Sequence, residues 1–266
     1  MSSCIAFLAH VFRVDPAMIR LLLWIGLGGA SICPMLLIAD LGRPLRFLNM
    51  LRVFKWRSPM SMGVWILVAF SGFAFLAVAS NELDVLGYGS TIVSVLRWVG
   101  EGSGAITGLL LAGYTGVLIG ATAIPVWFTH RRFLPAHFLT SGLGGSSAIL
   151  ELSGFFIPAM QILGFITAGI EIIFEALFAI RRTHVDAPLR KGRSGIAFLV
   201  AGLLEGSMAL VLRIAWGSHP GGRRAAAICF LAGSLLSRYA WVWAGRVSAK
   251  QPDAQFALQR SGGAKP

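Results

Sequence analysis

Charged side chains make up only 13% of this 266-residue chain, and acids are the scarcer sign, 11 Asp and Glu against 23 Lys and Arg. A soluble domain carries about a quarter charged residues. With 56% hydrophobic residues, the composition is that of an integral membrane protein. The three cysteines, Cys4, Cys33 and Cys229, stand far apart in apolar sequence. Without a Cys-x-x-Cys spacing they encode neither a zinc site nor an iron–sulfur cluster. Five histidines, His10, His130, His137, His184 and His219, fall at the ends of apolar runs or in loops, whereas a haem-bearing bundle needs them inside neighbouring spans. No GxxxxGK[ST] pattern follows a strand, so no phosphate-cradling loop is encoded. A net charge of +12 would point to nucleic acid in a soluble protein. Here the basic residues cluster in short loops between apolar runs, which makes them a topology signal instead. No haem, iron–sulfur cluster, metal site or nucleotide motif is legible.

Apolar runs long enough to cross a bilayer, about 20 residues, are plentiful. Residues 3–14 are apolar but too short, and Arg13 and Asp15 interrupt them with no small-residue cleavage site to follow, so they do not read as a cleavable signal. At 1.5 Å per residue they reach roughly 18 Å into a core of about 30 Å. They read as the second half of a helix, and we expect either that Met1 is not the natural start of the unit or that its first helix has been lost. Full spans are predicted at about 18–39 (with a kink at Cys33-Pro34), 62–80, 104–126, 134–152, 156–180, 195–216 and 225–244. Residues 81–98 read as polar and interfacial, and the tail from Gly245 as a short helix that frays. The predicted fold is an all-α integral membrane protein, a single domain over residues 1–266. It is a bundle of about seven full transmembrane helices plus an N-terminal partial helix, with 245–266 as a tail. Small residues such as Gly26, Gly28, Gly29, Ala30, Gly142, Gly144 and Gly145 are expected to let helices pack closely, since lipid supplies no hydrophobic drive between them.

Orientation follows from the basic residues. Loops 40–60, 127–136 and 181–194 and the tail carry 16 of the 23 Lys and Arg; the opposite side carries Arg13, Arg20, Arg97, Arg223 and Arg224. The basic loops and the C-terminus are therefore predicted to be cytoplasmic. Glu82, Asp84 and Glu101 collect on the other side.

Ionisable residues inside spans are few: Glu151, Glu171, Glu175, Glu205, Arg213 and Arg238. Each is costly in hydrocarbon and is expected to face a bundle interior or a wet cavity. Glu171 and Glu175 are four apart and share a helix face. Two carboxylates this close in a low dielectric do not both hold a charge, which suits a proton relay. The plainer reading is a structural pair with Arg238 or Arg213. Asp40 and Arg43 are three apart at a span end, either a helix-terminal ion pair or a point where protons enter.

The stretch from Asp40 to Trp65, DLGRPLRFLNMLRVFKWRSPMSMGVW, is the most specific in the chain. Asp-Leu-Gly-Arg-Pro, Arg-Phe-x-Asn-Met-Leu-Arg-Val-Phe and Ser-Pro-Met-Ser-x-Gly resemble the NrfD/PsrC family of polysulfide-reductase-type membrane subunits. GYTGVLIGATAIPVW (113–127) and SRYAWVWAGRVSAKQPDAQFALQR (237–260) are similar to the same family. The resemblance implies an eight-span plan with both termini cytoplasmic, where this sequence offers seven spans and a fragment. It implies a bacterial inner-membrane anchor that is not catalytic alone and that binds a quinone, menaquinone or ubiquinone. Its partners would be an iron–sulfur electron-transfer subunit on the outer face and a molybdopterin or multihaem catalytic subunit. Under it Tyr114 and Thr115 become candidate quinone contacts, since a tyrosine hydroxyl can bond a quinone carbonyl and flanking glycines make room for a ring. Asp40 and Arg43 join that cofactor set, and Glu171 and Glu175 become the proton-handling pair. A structural scaffold without its own quinone site is the alternative. A small-solute transporter would need inverted repeats with broken helices, which the sequence does not contain.

Overall fold

The computed structural model describes residues 1–40, 51–52, 54–180 and 184–250, which form helices and turns with no strand among them. The chain read from sequence as one domain divides into two compact units, Met1–Leu118 and Ile119–Pro266.

The N-terminal unit holds α1 (Ser2–Val11), α2 (Pro16–Asp40), α3 (Pro59–Val85) and the body of α4 (Thr91–Gly120). Local chemistry sets their starts. Asp15 Oδ1 accepts from the Ala17 N–H at 2.9 Å, and Ser58 caps α3 by accepting from the Ser61 N–H, each satisfying a donor left over at a helix start. α2 runs on through Pro34, although proline lacks the N–H that would bond the carbonyl of Ala30. The Ser71 hydroxyl of α3 lies 3.4 Å from that carbonyl, while its shorter hydrogen bond, 2.8 Å, goes to the Leu67 carbonyl of its own helix. The predicted start of the third span is corrected: α4 begins at Thr91, not Gly104, and the stretch read as interfacial is its first turns. Ser90 accepts from the Val93 N–H at 3.3 Å. Arg97 and Glu101 pair at i,i+4 on the same helix instead of ending it. The span also stops at Gly120, short of Val126, because the chain turns ahead of Pro125.

The C-terminal unit contains α5 (Pro125–Thr129), α6 (Phe133–Leu152), α7 (Pro158–Ile180), the short α8 (Ala187–Arg190), α9 (Gly192–Trp216) and α10 (Pro220–Ser248). α6 and α7 are joined by the tight turn the sequence implied, with Gly154 at φ 95°, which glycine adopts without strain. Inside α9, residues Leu203–Met208 form a widened π-helical turn. Small residues act at particular places. A Cβ at Gly144 would enter the Phe230 ring, and one at Gly233 would meet the backbone of Ala201 and Glu205, whereas Gly28 and Gly29 face open space. Trp241 is fully buried at the centre of an apolar cluster with Val126, Leu134, Phe138 and Phe178.

Six of the described helices are long and apolar enough to cross a membrane: Pro16–Ala39, Pro59–Val85, Thr91–Gly120, Pro158–Ile180, Gly192–Trp216 and Pro220–Ser248. The predicted span at 134–152 forms as α6, a helix of 20 residues, but stands outside that set. The protein is thus an all-α, multi-pass membrane protein. Polar side chains dilute α6, and the largest of them is neutralised: Arg213 grips Glu151 with two nitrogens at 2.7 and 2.9 Å, and Arg223 adds a third contact at 3.0 Å.

Candidate functional site

Among the described residues, two groups of polar side chains line pockets, one in each unit. In the C-terminal unit, α6 carries His137, α7 carries Glu171 and Glu175 one turn apart, the π-helical turn of α9 presents Glu205, and α10 contributes Ser237 and Arg238. His137 sits between two of them, with Nδ1 at 2.7 Å from Glu171 Oε2 and Nε2 at 2.8 Å from the Ser237 hydroxyl. His137 is 4% exposed, and Glu171 and Glu205 2% each. Phe133, Phe174 and Phe198 wall the space, and Gly202 admits the Glu175 carboxyl, whose oxygen occupies the place a Cβ would take. The predicted shared face of Glu171 and Glu175 is real, since both line one small cavity. Their partner is not Arg213, which belongs to Glu151. Arg238 lies close enough to Glu205 and Glu171 to interact with their charge, its guanidinium 4.8 Å from the Phe138 ring centroid. Glu175 and Phe198 also border an open, mostly apolar pocket of about 370 Å³ with Leu189, Arg190 and Leu203.

In the N-terminal unit, the ends of α1, α2, α3 and α4 surround an open pocket of about 420 Å³ lined by His10, Arg13, Asn81, Asp84 and Arg97 among others. Behind it Glu101 is 1% exposed. One of its oxygens takes a hydrogen bond with His10 Nδ1, and the other accepts from Arg97 Nε at 2.9 Å. Arg97 also reaches Asp84 at 3.1 Å, and the His10 ring lies 4.8 Å from that of Trp98. Glu82 holds Arg20 at 2.6 Å and the Trp24 indole N–H at 3.0 Å. Glu101 was read from the sequence as an outer-face acid. In the structure it is a buried carboxylate held by His10 and Arg97.

The remaining predicted residues are scattered. Tyr114 and Thr115 lie in the N-terminal unit. The Tyr114 ring packs where a Gly63 side chain would be, and its hydroxyl is shut in without a well-formed hydrogen bond. Thr115 is exposed and donates to the Leu111 carbonyl of its own helix at 3.3 Å. Arg43 and the side chain of Asp40 fall outside the described residues. Sequence reading missed His137, Glu205, Ser237 and His10 as site members. The one local signal available was the four-residue spacing of Arg97 and Glu101.

A family model described as polysulphide reductase, NrfD, matches residues 1–248. Protein NrfD of Escherichia coli (strain K12) is 29% identical over 150 residues, covering 51% of this chain and 46% of that protein; the match spans less than half the length of that relative. No solved structure matches the chain. The chain belongs to the NrfD family, whose members are membrane subunits of oxidoreductase complexes.

Proposed function

We propose that this chain is the quinone-facing membrane subunit of a bacterial respiratory complex. It exchanges electrons between the membrane quinone pool and an iron–sulfur partner subunit, which serves a molybdopterin or multihaem catalytic subunit. The observation that carries this reading is the pocket built on His10, Glu101 and Arg97. A quinone reduced by two electrons takes up two protons at its carbonyl oxygens. A histidine at the pocket wall, backed by a buried carboxylate, is a suitable hydrogen-bond donor and proton carrier. Asn81 and Arg97 add donors on the same wall. The pocket lies at the end of the N-terminal unit opposite the basic loop 40–60, so loop charge assigns it to the non-cytoplasmic side. An iron–sulfur partner docked there would sit close to the ring, as electron transfer demands. The bilayer is bacterial inner membrane, with the C-terminus cytoplasmic.

Glu171 and Glu175 serve as a proton relay in the C-terminal unit. What supports the role is their convergence with His137 and Glu205 on one cavity, which makes a chain of groups able to take and release protons. Tyr114 is a second candidate for a quinone contact, favoured by its enclosed hydroxyl beside Gly63. It stands 13 residues beyond Glu101 on α4, about 20 Å along the helix, so one ring cannot touch both. The test is quinol oxidation by the assembled complex with His10→Gln. We expect turnover to fall about a hundredfold with assembly intact. Unchanged turnover with a loss in Tyr114→Phe would move the site, and no loss in either would favour the scaffold role.

A further inference from the structure

Four helices bring nitrogen and oxygen donors onto a void too small for an organic ligand. One ligand atom each from His137, Glu171 and Glu205 lie within 4.8 Å of one another. Donors bound at about 2.0–2.2 Å to one ion stand about 3–4 Å apart, so a small rotation of a carboxylate closes the set. The void between them has about 10 Å³ for the centre of a water-sized sphere, the room of a single water or ion.

The donors are also unsatisfied. Glu171 Oε1 and Glu205 Oε2 are shut away from solvent with no hydrogen-bond partner, and so is Glu175 Oε1. A buried carboxylate oxygen without a donor is costly, and three of them around one void call for a cation. Arg238, stacked over Phe138, acts on Glu205 and Glu171 through its charge but makes no hydrogen bond to these oxygens. The backbone is shaped to the purpose. The π-helical turn Leu203–Met208 swings Glu205 inward, a distortion that often marks functional sites, and Gly233 lets α10 press against that turn. With His137 Nδ1 turned toward an ion, Nε2 keeps its bond to Ser237, which fixes the ring as ligating imidazoles are commonly fixed. An open pocket beside the void shares Glu175 and Phe198 with it.

We propose that His137, Glu171 and Glu205 bind one divalent transition-metal ion of the zinc or manganese class. One imidazole and two carboxylates suit such ions better than soft Cu(I), which prefers thiolates, or calcium, which takes oxygens alone. The site stands on these donors and not on the quinone reading. Where the relay proposed above operates, a bound ion would hold the same carboxylates and stop proton passage.

The experiment uses the full-length chain in lipid nanodiscs, metal-free buffer and ZnCl2, without quinone. Calorimetry is expected to find one Zn²⁺ per chain. Binding should weaken at least about tenfold in Glu205→Gln and in His137→Gln, and be unchanged in Glu82→Gln, a carboxylate in the other unit. X-ray absorption at the zinc edge of the wild-type protein should report one imidazole nitrogen and carboxylate oxygens. No binding, equal binding in all variants, or sulfur ligation by Cys4, Cys33 or Cys229 overturns the site. If the variants do not fold, the absorption spectrum of wild type decides alone. Zinc binding with no effect of Glu171→Gln on quinone turnover would sink the relay and leave the metal site standing.

Discussion

Glu171 and Glu175 show how far a single pair of residues can be read. Their four-residue spacing puts them on one face, and both line the same cavity. Nothing local announces that His137 lies 34 residues earlier or that Glu205 comes 34 residues later. Only the packing of α6, α7, α9 and α10 brings them together. We expect Glu171→Gln or Glu175→Gln to slow quinone turnover about tenfold or more, with normal complex on native gels. Loss of folded protein instead would make the pair structural. Gly202→Ala approaches the same group from the other side, because its methyl would displace the Glu175 carboxyl. It should lower turnover without lowering the yield of complex. For Tyr114→Phe, losing one hydrogen bond to quinone costs about 0.5–1.5 kcal/mol. The account above predicts no such change in apparent affinity.

Helices were legible wherever apolar length decided them and illegible where polar chemistry did. Pro34 read as a kink within a continuing span, and α2 does run on through it. The segment from Thr91 to Trp98, read as interfacial after a polar stretch, is instead the start of α4, where Arg97 binds Glu101 and Glu101 binds His10. α6 formed where the sequence placed it, with Glu151 tolerable only because Arg213 and Arg223 enclose it. Removing one member of such a buried group costs about 3–5 kcal/mol. Glu151→Gln should therefore lower the thermal midpoint of the detergent-solubilised protein sharply, read by size-exclusion fluorescence after heating. A midpoint within a degree or two of wild type would mean that the two arginines find other partners.

For the molecule as a whole, charge placement predicts sidedness that helix geometry alone does not give. Basic loops 40–60 and 181–194 mark one side, and the His10 pocket opens at the far ends of α2, α3 and α4 from loop 40–60. A reporter active only outside the cytoplasm should give signal when inserted at 86–90 and none within 46–55. The reverse pattern would put the pocket on the cytoplasmic face and with it the partner subunit. Family membership was legible in the stretch from Asp40 to Trp65, a run of polar and basic residues whose wording is specific. The pocket was not, because its lining comes from the ends of four helices and its key histidine sits in a helix too short to span.

Quinone binding at the His10–Glu101 pocket can be read by photoaffinity labelling with an azido-quinone and peptide mass spectrometry. Label is expected on peptides covering residues 10–19 or 81–97, competed by unlabelled quinone and lost in His10→Gln. Competed label confined to peptides around Tyr114, or to those around Glu175 and Leu203, would contradict it.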